Sequence, residues 1–305
     1  MSEHVNASYR AQERVYKAYS KEGAKADHAA AWLRPGTINH WRFDRVYKLV
    51  DPLLSHSRGA SWLTVGDGRY GLDAQYLAAH EARALPTDIA DTLLAEASAA
   101  GLIEDFRKEN AESLSFDDES FDYVFCKESY HHFPRPMKAL YEMLRVAREA
   151  VVMIEPNDQT IVNGGVAVFS RTLKDLVKRM LGRPIDYHQF ETSGNYAYAI
   201  SRREMEKVAL GMGMRVLAIR GMNDYYLPGV EFETTEPSNR LFRKVTRKIA
   251  RFDFLCKLGI SQPGLLAVVL FKRSPDDELR SSLEGKGFQI LDLPRNPYLN
   301  ADAPE

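Results

Sequence analysis

Two adjacent histidines, His131 and His132, follow Glu128 by three and four residues, just past an apolar run that ends at Cys126. A histidine titrates near neutrality, so either ring can take the proton of an acceptor hydroxyl, with Glu128 orienting it and Lys127 and Tyr130 shaping the pocket. One of the two rings is expected to be structural. As a metal pair they are weak, because neighbours in the chain point in different directions and Glu128 is the acid close by, so no metal is expected.

A second cluster is glycine-rich. Gly66-Asp67-Gly68-Arg69-Tyr70-Gly71 follows the apolar stretch Trp62-Leu63-Thr64-Val65 and precedes a helical pattern. A side chain there would block close approach of the backbone to a ligand, and the helix start offers unpaired N–H groups to a negative group. Asp88 comes seventeen residues after Gly71, where its carboxylate can accept both hydroxyl protons of a ribose diol. The spacing satisfies the dinucleotide fingerprint, so a nicotinamide-dependent oxidoreductase is one reading and another nucleoside-binding protein is the other.

These residues need elements to position them. From Ser61 onward, short apolar runs alternate with amphipathic stretches, the pattern of βαβ units around a parallel sheet. Strands are predicted near 61–66, 82–87, 122–126, 149–154, 214–219 and 264–271, with a weak one near 104–109. Helices are predicted over 71–80, 91–100, 136–147 and 202–212. Runs such as Ala150–Ile154 and Leu265–Leu270 suit strands buried on both faces. The segment 1–58 reads as a helical cap, in which Thr37 caps a helix with apolar positions Ile38, Trp41, Val46, Val50 and Leu53 just after Pro35-Gly36. Residues 59–274 form the main domain, with insertions at about 157–200 and 223–262 that hold helices over 171–181 and 239–258. Long connections of this kind are usually functional, so acceptor choice is expected there. A C-terminal extension, 275–305, ends irregularly from Asp292.

Between these elements the stretch Glu109 to Cys126 carries Asn110-Ala111 and then Phe121-Asp122 at the start of a strand. With Gly66, Gly68 and Asp88, and with Ser129-Tyr130-His131-His132-Phe133, the helix 139–146 and the strand end Ile154-Glu155-Pro156, the chain over 60–156 resembles the class I, Rossmann-like S-adenosylmethionine-dependent methyltransferases. The resemblance implies an α/β fold with a seven-stranded, mostly parallel sheet, helices on both faces, and an antiparallel last strand ending at Lys272-Arg273. It implies S-adenosylmethionine as cofactor, held by Gly66, Asp67, Gly68, Gly71, Asp88, Ile89, Asn110, Ala111 and Lys127. Catalytic positions fall on His131, His132 and Glu128, and no metal is demanded. Two departures are Thr64, where the family usually has an acid two residues before the first glycine, and a turn one residue longer than the common form. They motivate a further alternative, a donor-binding protein without turnover.

Composition bounds the partners. At 305 residues and 34.6 kDa, with 45% hydrophobic and 27% charged residues, the chain can bury a large core and is neither disordered nor collagen-like. A net charge of -1 provides no global field toward nucleic acid, and any anionic partner must use a local patch. One such patch is 240–257, with seven basic residues against Asp253 alone, interleaved with apolar residues at helical spacing. It suits peripheral contact with an anionic membrane or a phosphate-bearing acceptor. Two cysteines, Cys126 and Cys256, without zinc spacing, no signal-like amino terminus and no apolar run of spanning length fit a cytoplasmic protein. The expected acceptor is a small molecule or glycan methylated on oxygen.

Overall fold

The computed structural model describes residues 3–161, 165–183, 190–191 and 194–298. Four helices lead the chain: α1 (Glu3–Tyr19), α2 (Ala24–Ala31), α3 (Ile38–Tyr47) and α4 (Asp51–His56). Thr37 caps α3 as expected, its hydroxyl accepting from His40 N at 3.1 Å. Thr37→Ala should therefore cost about 1 kcal/mol of stability in chemical denaturation, the usual loss on removing an N-cap.

The alternating part follows as β1 (Ser61–Val65), α5 (Leu72–Ala79), β2 (Arg83–Asp88), α6 (Thr92–Ala99), β3 (Arg107–Lys108), β4 (Phe121–Lys127), α7 (Pro136–Val146) and β5 (Ala147–Pro156). Then come α8 (Gly165–Met180), α9 (Arg202–Gly211), β6 (Val216–Met222), α10 (Arg240–Lys257), β7 (Leu265–Phe271), α11 (Asp277–Gly285) and β8 (Gln289–Asp292). The strands form one sheet in the order β3-β2-β1-β4-β5-β7-β6-β8. Pairs from β3 through β5 are parallel, and β7 runs antiparallel to both β5 and β6. The strand order reverses between β1 and β4, which opens a crevice beyond their carboxyl ends.

The sheet has eight strands, not seven. The extra one, β8, pairs antiparallel with β6 at the edge, and α11 precedes it, so much of the C-terminal extension is regular. An edge strand with exposed ends and a half-buried middle owes its existence to its neighbour, which explains why a run of four residues did not announce it. The helix did leave a signal: Asp276 accepts from Leu279 N at 2.9 Å, and Leu279 and Leu283 are buried four residues apart.

One apolar cluster on the sheet holds Leu140, Met143 and Leu144 of α7 with Met205 and Ala209 of α9. The other holds Phe43, Val46 and Tyr47 of α3, Leu53 and Leu54 of α4, and Leu279 and Leu283 of α11. Thus α3 and α4 share the core of the sheet. Inserted helix α8 begins earlier than expected, whereas α10 matches its expected span, with Asn239 accepting from Leu241 N and Phe242 N.

Candidate functional site

The glycine turn between β1 and α5 is fixed by backbone geometry that a side chain would disturb. Gly66 has φ +79°, and a Cβ on it would sit 2.4 Å from that of Ser129, whose hydroxyl donates to Gly66 O at 2.7 Å. Gly68 N donates to Asp88 Oδ2 at 2.9 Å, and a Cβ there would lie 2.7 Å from that oxygen and 2.8 Å from the Tyr16 ring. Gly71, at φ +67°, closes the turn against Ile103, Leu94 and Pro86.

Asp67 is a brace for this turn and does not line the cavity. Its carboxylate accepts from Thr64 Oγ1 and from Asp73 N and Ala74 N at the start of α5. Burial and the neighbouring Asp73 push its pKa well above the usual carboxylate range. Thr64, where an acid is common in the resembled family, thus serves the turn by donating to Asp67. Lys127 also lies away from the cavity. It is buried under the turn, 3.3 Å from Asp73 and over the rings of Phe43 and Tyr47. Burial works to lower its pKa, but Asp73 and Glu128 outweigh it and keep the ammonium charged.

Asp88 ends β2 at the mouth of the crevice. It accepts from Gly68 N and Ala90 N, and burial raises its pKa to about 6. Ile89, Asn110 and Ala111 line the same cavity, with Asn110 Oδ1 holding the loop by accepting from Glu112 N at 2.9 Å. Gly66, Asp88, Ile89, Asn110 and Ala111 therefore converge on one cavity, joined by Thr87, Ser129, His132 and Phe133. A glycine floor, a carboxylate beside it and a small residue next to an amide across from them fit a nucleoside.

A wall of this cavity comes from α1, through Ser8, Tyr9, Gln12 and Tyr16. Tyr16 is half-buried beside Asp88, and desolvation together with that charge raises its pKa well above the ordinary tyrosine value. In this conformation α1 leaves about 40 Å3 free, room for about one water. Entry of a nucleoside requires these side chains to move aside. The sequence signal for them is the spacing of Tyr9, Gln12 and Tyr16 along one helical face.

The two histidines occupy a single 3₁₀ turn, Tyr130–His132, after β4. Their ring centroids are 4.0 Å apart with the planes tilted by 42°, so neighbours expected to diverge lie side by side. His131 Nδ1 is 2.7 Å from Oε2 of Glu155, and His132 Nδ1 is 2.6 Å from Oε2 of Glu191. Glu128, expected to orient a histidine, instead has its carboxylate 3.8 Å from Lys127, with Arg69 also near enough to help hold its pKa down against burial. Burial pulls the His131 pKa down, but the Glu155 bond and charge prevail and raise it. Glu191 is held to about 2: burial would raise it, and the His132 and Asn195 bonds outweigh that. His131, His132 and Glu191 also bring possible ligand atoms within 4.8 Å of one another, a trio that could hold a metal ion.

Glu155 is fully buried. Its second oxygen accepts from Ser129 N and Tyr130 N and so fixes the histidine turn to the end of β5. Asn157 and Asp158 beyond it line an open cleft of about 760 Å3 with Tyr196 and Tyr198. Tyr198 N donates to His131 O at 3.0 Å, which joins the cleft to the histidines. Phe190 is exposed and packs edge-on to Tyr196. Tyr187 and His188 of the same insertion lie outside the described residues.

Comparison with known proteins bears on what this crevice holds. The family model described as "Methyltransferase domain" matches residues 63–154. No curated protein matches the chain. Similar solved structures include the YcgJ protein of Bacillus subtilis, 18% identical over 75% of this chain and 100% of that one, with a TM-score of 0.46. The [4+2]-cyclase SpnF is 19% identical over 76% of this chain and 81% of its own, with a TM-score of 0.47. A SAM-dependent methyltransferase of Aquifex aeolicus is 20% identical over 49% of this chain and 85% of its own, with a TM-score of 0.32. The matched residues run from β1 into β5 and so include Gly66, Asp88, Asn110 and both histidines; over residues 63–154 the chain is similar to methyltransferase domains.

Proposed function

We propose that the protein methylates an oxygen of a small-molecule or glycan acceptor, with a histidine of the 131–132 turn as the base. The observation that carries this reading is the place of His132: it lies on the wall of the donor cavity while Nδ1 is held by Glu191, which leaves Nε2 for a proton. Bound in the crevice, S-adenosylmethionine supplies a methyl already activated on a sulfonium, so the protein has to align a nucleophile and take its proton. Gly66 and Gly68 admit the ligand to the backbone, Asp88 accepts from its ribose, and Asn110 with Ala111 flanks its base. Glu155, through His131 and the backbone of residues 129–130, sets the turn that carries His132. The cleft lined by Asp158, Tyr196 and Tyr198 is the acceptor side, where aromatic faces suit a sugar ring. An anionic acceptor would find complementary charge along α10.

The nicotinamide reading is the weaker one, because the family match and the Asn110–Ala111 loop favour the methyl donor. The two free cysteines are consistent with a reducing cytoplasm. Among the described residues no helix is long and apolar enough to cross a membrane.

The test is incubation of the protein with a cell extract and isotopically labelled donor, followed by mass spectrometry. A labelled methyl on an acceptor hydroxyl supports the reading. Binding of S-adenosylhomocysteine with no labelled product in any extract would mark a binding protein without turnover. A narrower expectation concerns the turn: Gly68→Ala should weaken S-adenosylhomocysteine binding about tenfold, ~1.4 kcal/mol, because the new methyl displaces Asp88. Gly211→Ala, at a position with nothing within 4 Å, should leave calorimetric affinity unchanged.

A further inference from the structure

Helix α8 carries an apolar stripe that is exposed among the described residues. Phe169, Leu173, Leu176 and Met180 fall within an arc of roughly 60° at about 100° per residue. They are 70%, 50%, 54% and 78% exposed. Among the described residues, none of the four buried clusters includes a residue of α8. Exposed apolar surface of this kind marks a binding face.

Charge identifies what covers it. The segments 165–183 and 240–257 hold twelve of the chain's forty-one basic residues and two of its forty-two acidic ones. On α10, Arg243, Lys244, Arg247, Lys248 and Arg251 line one open groove, while Val245 and Ile249 of the same helix are buried with Ile38 and Val230. The cationic row is therefore mounted on a docked helix. Toward the end of α10, Phe254 and Leu258 are 59% and 50% exposed. The chain entering α8 is tied to the chain leaving α10: Gln262 Nε2 donates to Ile161 O at 2.7 Å, and Gln159 Nε2 donates to Pro263 O at 2.8 Å. Both helices thus root at the carboxyl end of β5, beside the open cleft.

We infer that α8 and α10 form one docking surface for an anionic lipid bilayer, in which the α8 stripe enters the acyl boundary and the α10 cations meet the headgroups. A helix with an apolar stripe and a basic opposite face lies in the interface plane, and juxtaposed lysines and arginines add attraction to anionic lipid. A nucleic acid would use the cations and leave the stripe in water. The inference is independent of the methyl-transfer reading, since the surface can be assayed without donor or acceptor.

The experiment is co-sedimentation of the full chain with vesicles of phosphatidylcholine alone and of equal parts phosphatidylcholine and phosphatidylglycerol, at low and physiological salt. The parent should bind the anionic vesicles at least about tenfold more tightly, and salt should weaken that binding. Two variants separate the parts: the quadruple Phe169→Ser, Leu173→Ser, Leu176→Ser, Met180→Ser, and the triple Arg243→Gln, Arg247→Gln, Arg251→Gln. Each should lose about tenfold or more in vesicle affinity while S-adenosylhomocysteine calorimetry and circular dichroism stay at parent values. No binding of the parent to anionic vesicles overturns the inference. So does unchanged binding by the quadruple variant, or a parent dimer in light scattering that this variant turns into monomer, which would assign the stripe to a second copy.

Discussion

Asp88→Ala is expected to weaken S-adenosylhomocysteine binding by about 2 kcal/mol, roughly a thirtyfold rise in Kd, because charge-assisted hydrogen bonds to a ribose diol are lost from a buried site. The same carboxylate accepts from Gly68 N and Ala90 N, so part of the loss passes through the turn. Asp88→Asn separates the two contributions. It keeps an oxygen for one backbone donor but removes the charge, and it should fall between parent and Ala.

The pH dependence has a defined sign. Burial raises Asp88 to about 6, and in its proposed role ribose hydroxyls would donate to its ionised form. Affinity should fall as pH drops through about 6 and level off above it, and the Asn variant should lack that step. Stability runs the other way. The folded state holds a proton that the unfolded chain releases near the ordinary value of 3.8, so this group's contribution is fully present below that value and is lost as pH rises through about 6. Calorimetric titrations and denaturation series across that range check both. A flat binding profile would remove Asp88 from the ribose role.

What the sequence made visible is what short-range geometry dictates. Gly66 and Gly68 must be glycine for reasons contained in a few residues, and Asp88 follows at the end of the next strand; both were readable before any contact was known. So was the cap at Thr37, whose hydroxyl reaches a backbone three residues on. The partners of the histidines were not readable. Glu155 and Glu191 are twenty-four and fifty-nine residues from the rings they hold, and the fold alone brings them there. Glu128, adjacent in sequence, was favoured for that nearness, yet its φ of +49° belongs to a turn in which Lys127 and Arg69 supply its charge partners. Likewise α1 had no visible reason to cross the crevice, because its face of Tyr9, Gln12 and Tyr16 reads as an ordinary amphipathic stripe until the site lies beneath it.

The double variant His131→Ala, His132→Ala should lower kcat by a factor of about 10²–10⁴, the range general-base catalysis supplies, while Kd for S-adenosylhomocysteine changes far less. The unequal effect follows from position. Gly66, Asp88 and Asn110, proposed to hold the nucleoside, line the same cavity as His132. The single variants should divide the roles. His132→Ala removes the ring that lines the cavity and should carry most of the loss. His131→Ala leaves Glu155 with its bonds to Ser129 N and Tyr130 N but without the imidazole, so its effect should pass through the placement of the turn. Glu191→Gln tests the orientation of the base. It keeps the size of the side chain but weakens its hold on Nδ1. The expected result is a lower kcat in Glu191→Gln with Kd for S-adenosylhomocysteine near the parent value. If the base were another group, Glu191→Gln would leave kcat where it is, and the double histidine variant would turn over at the parent rate.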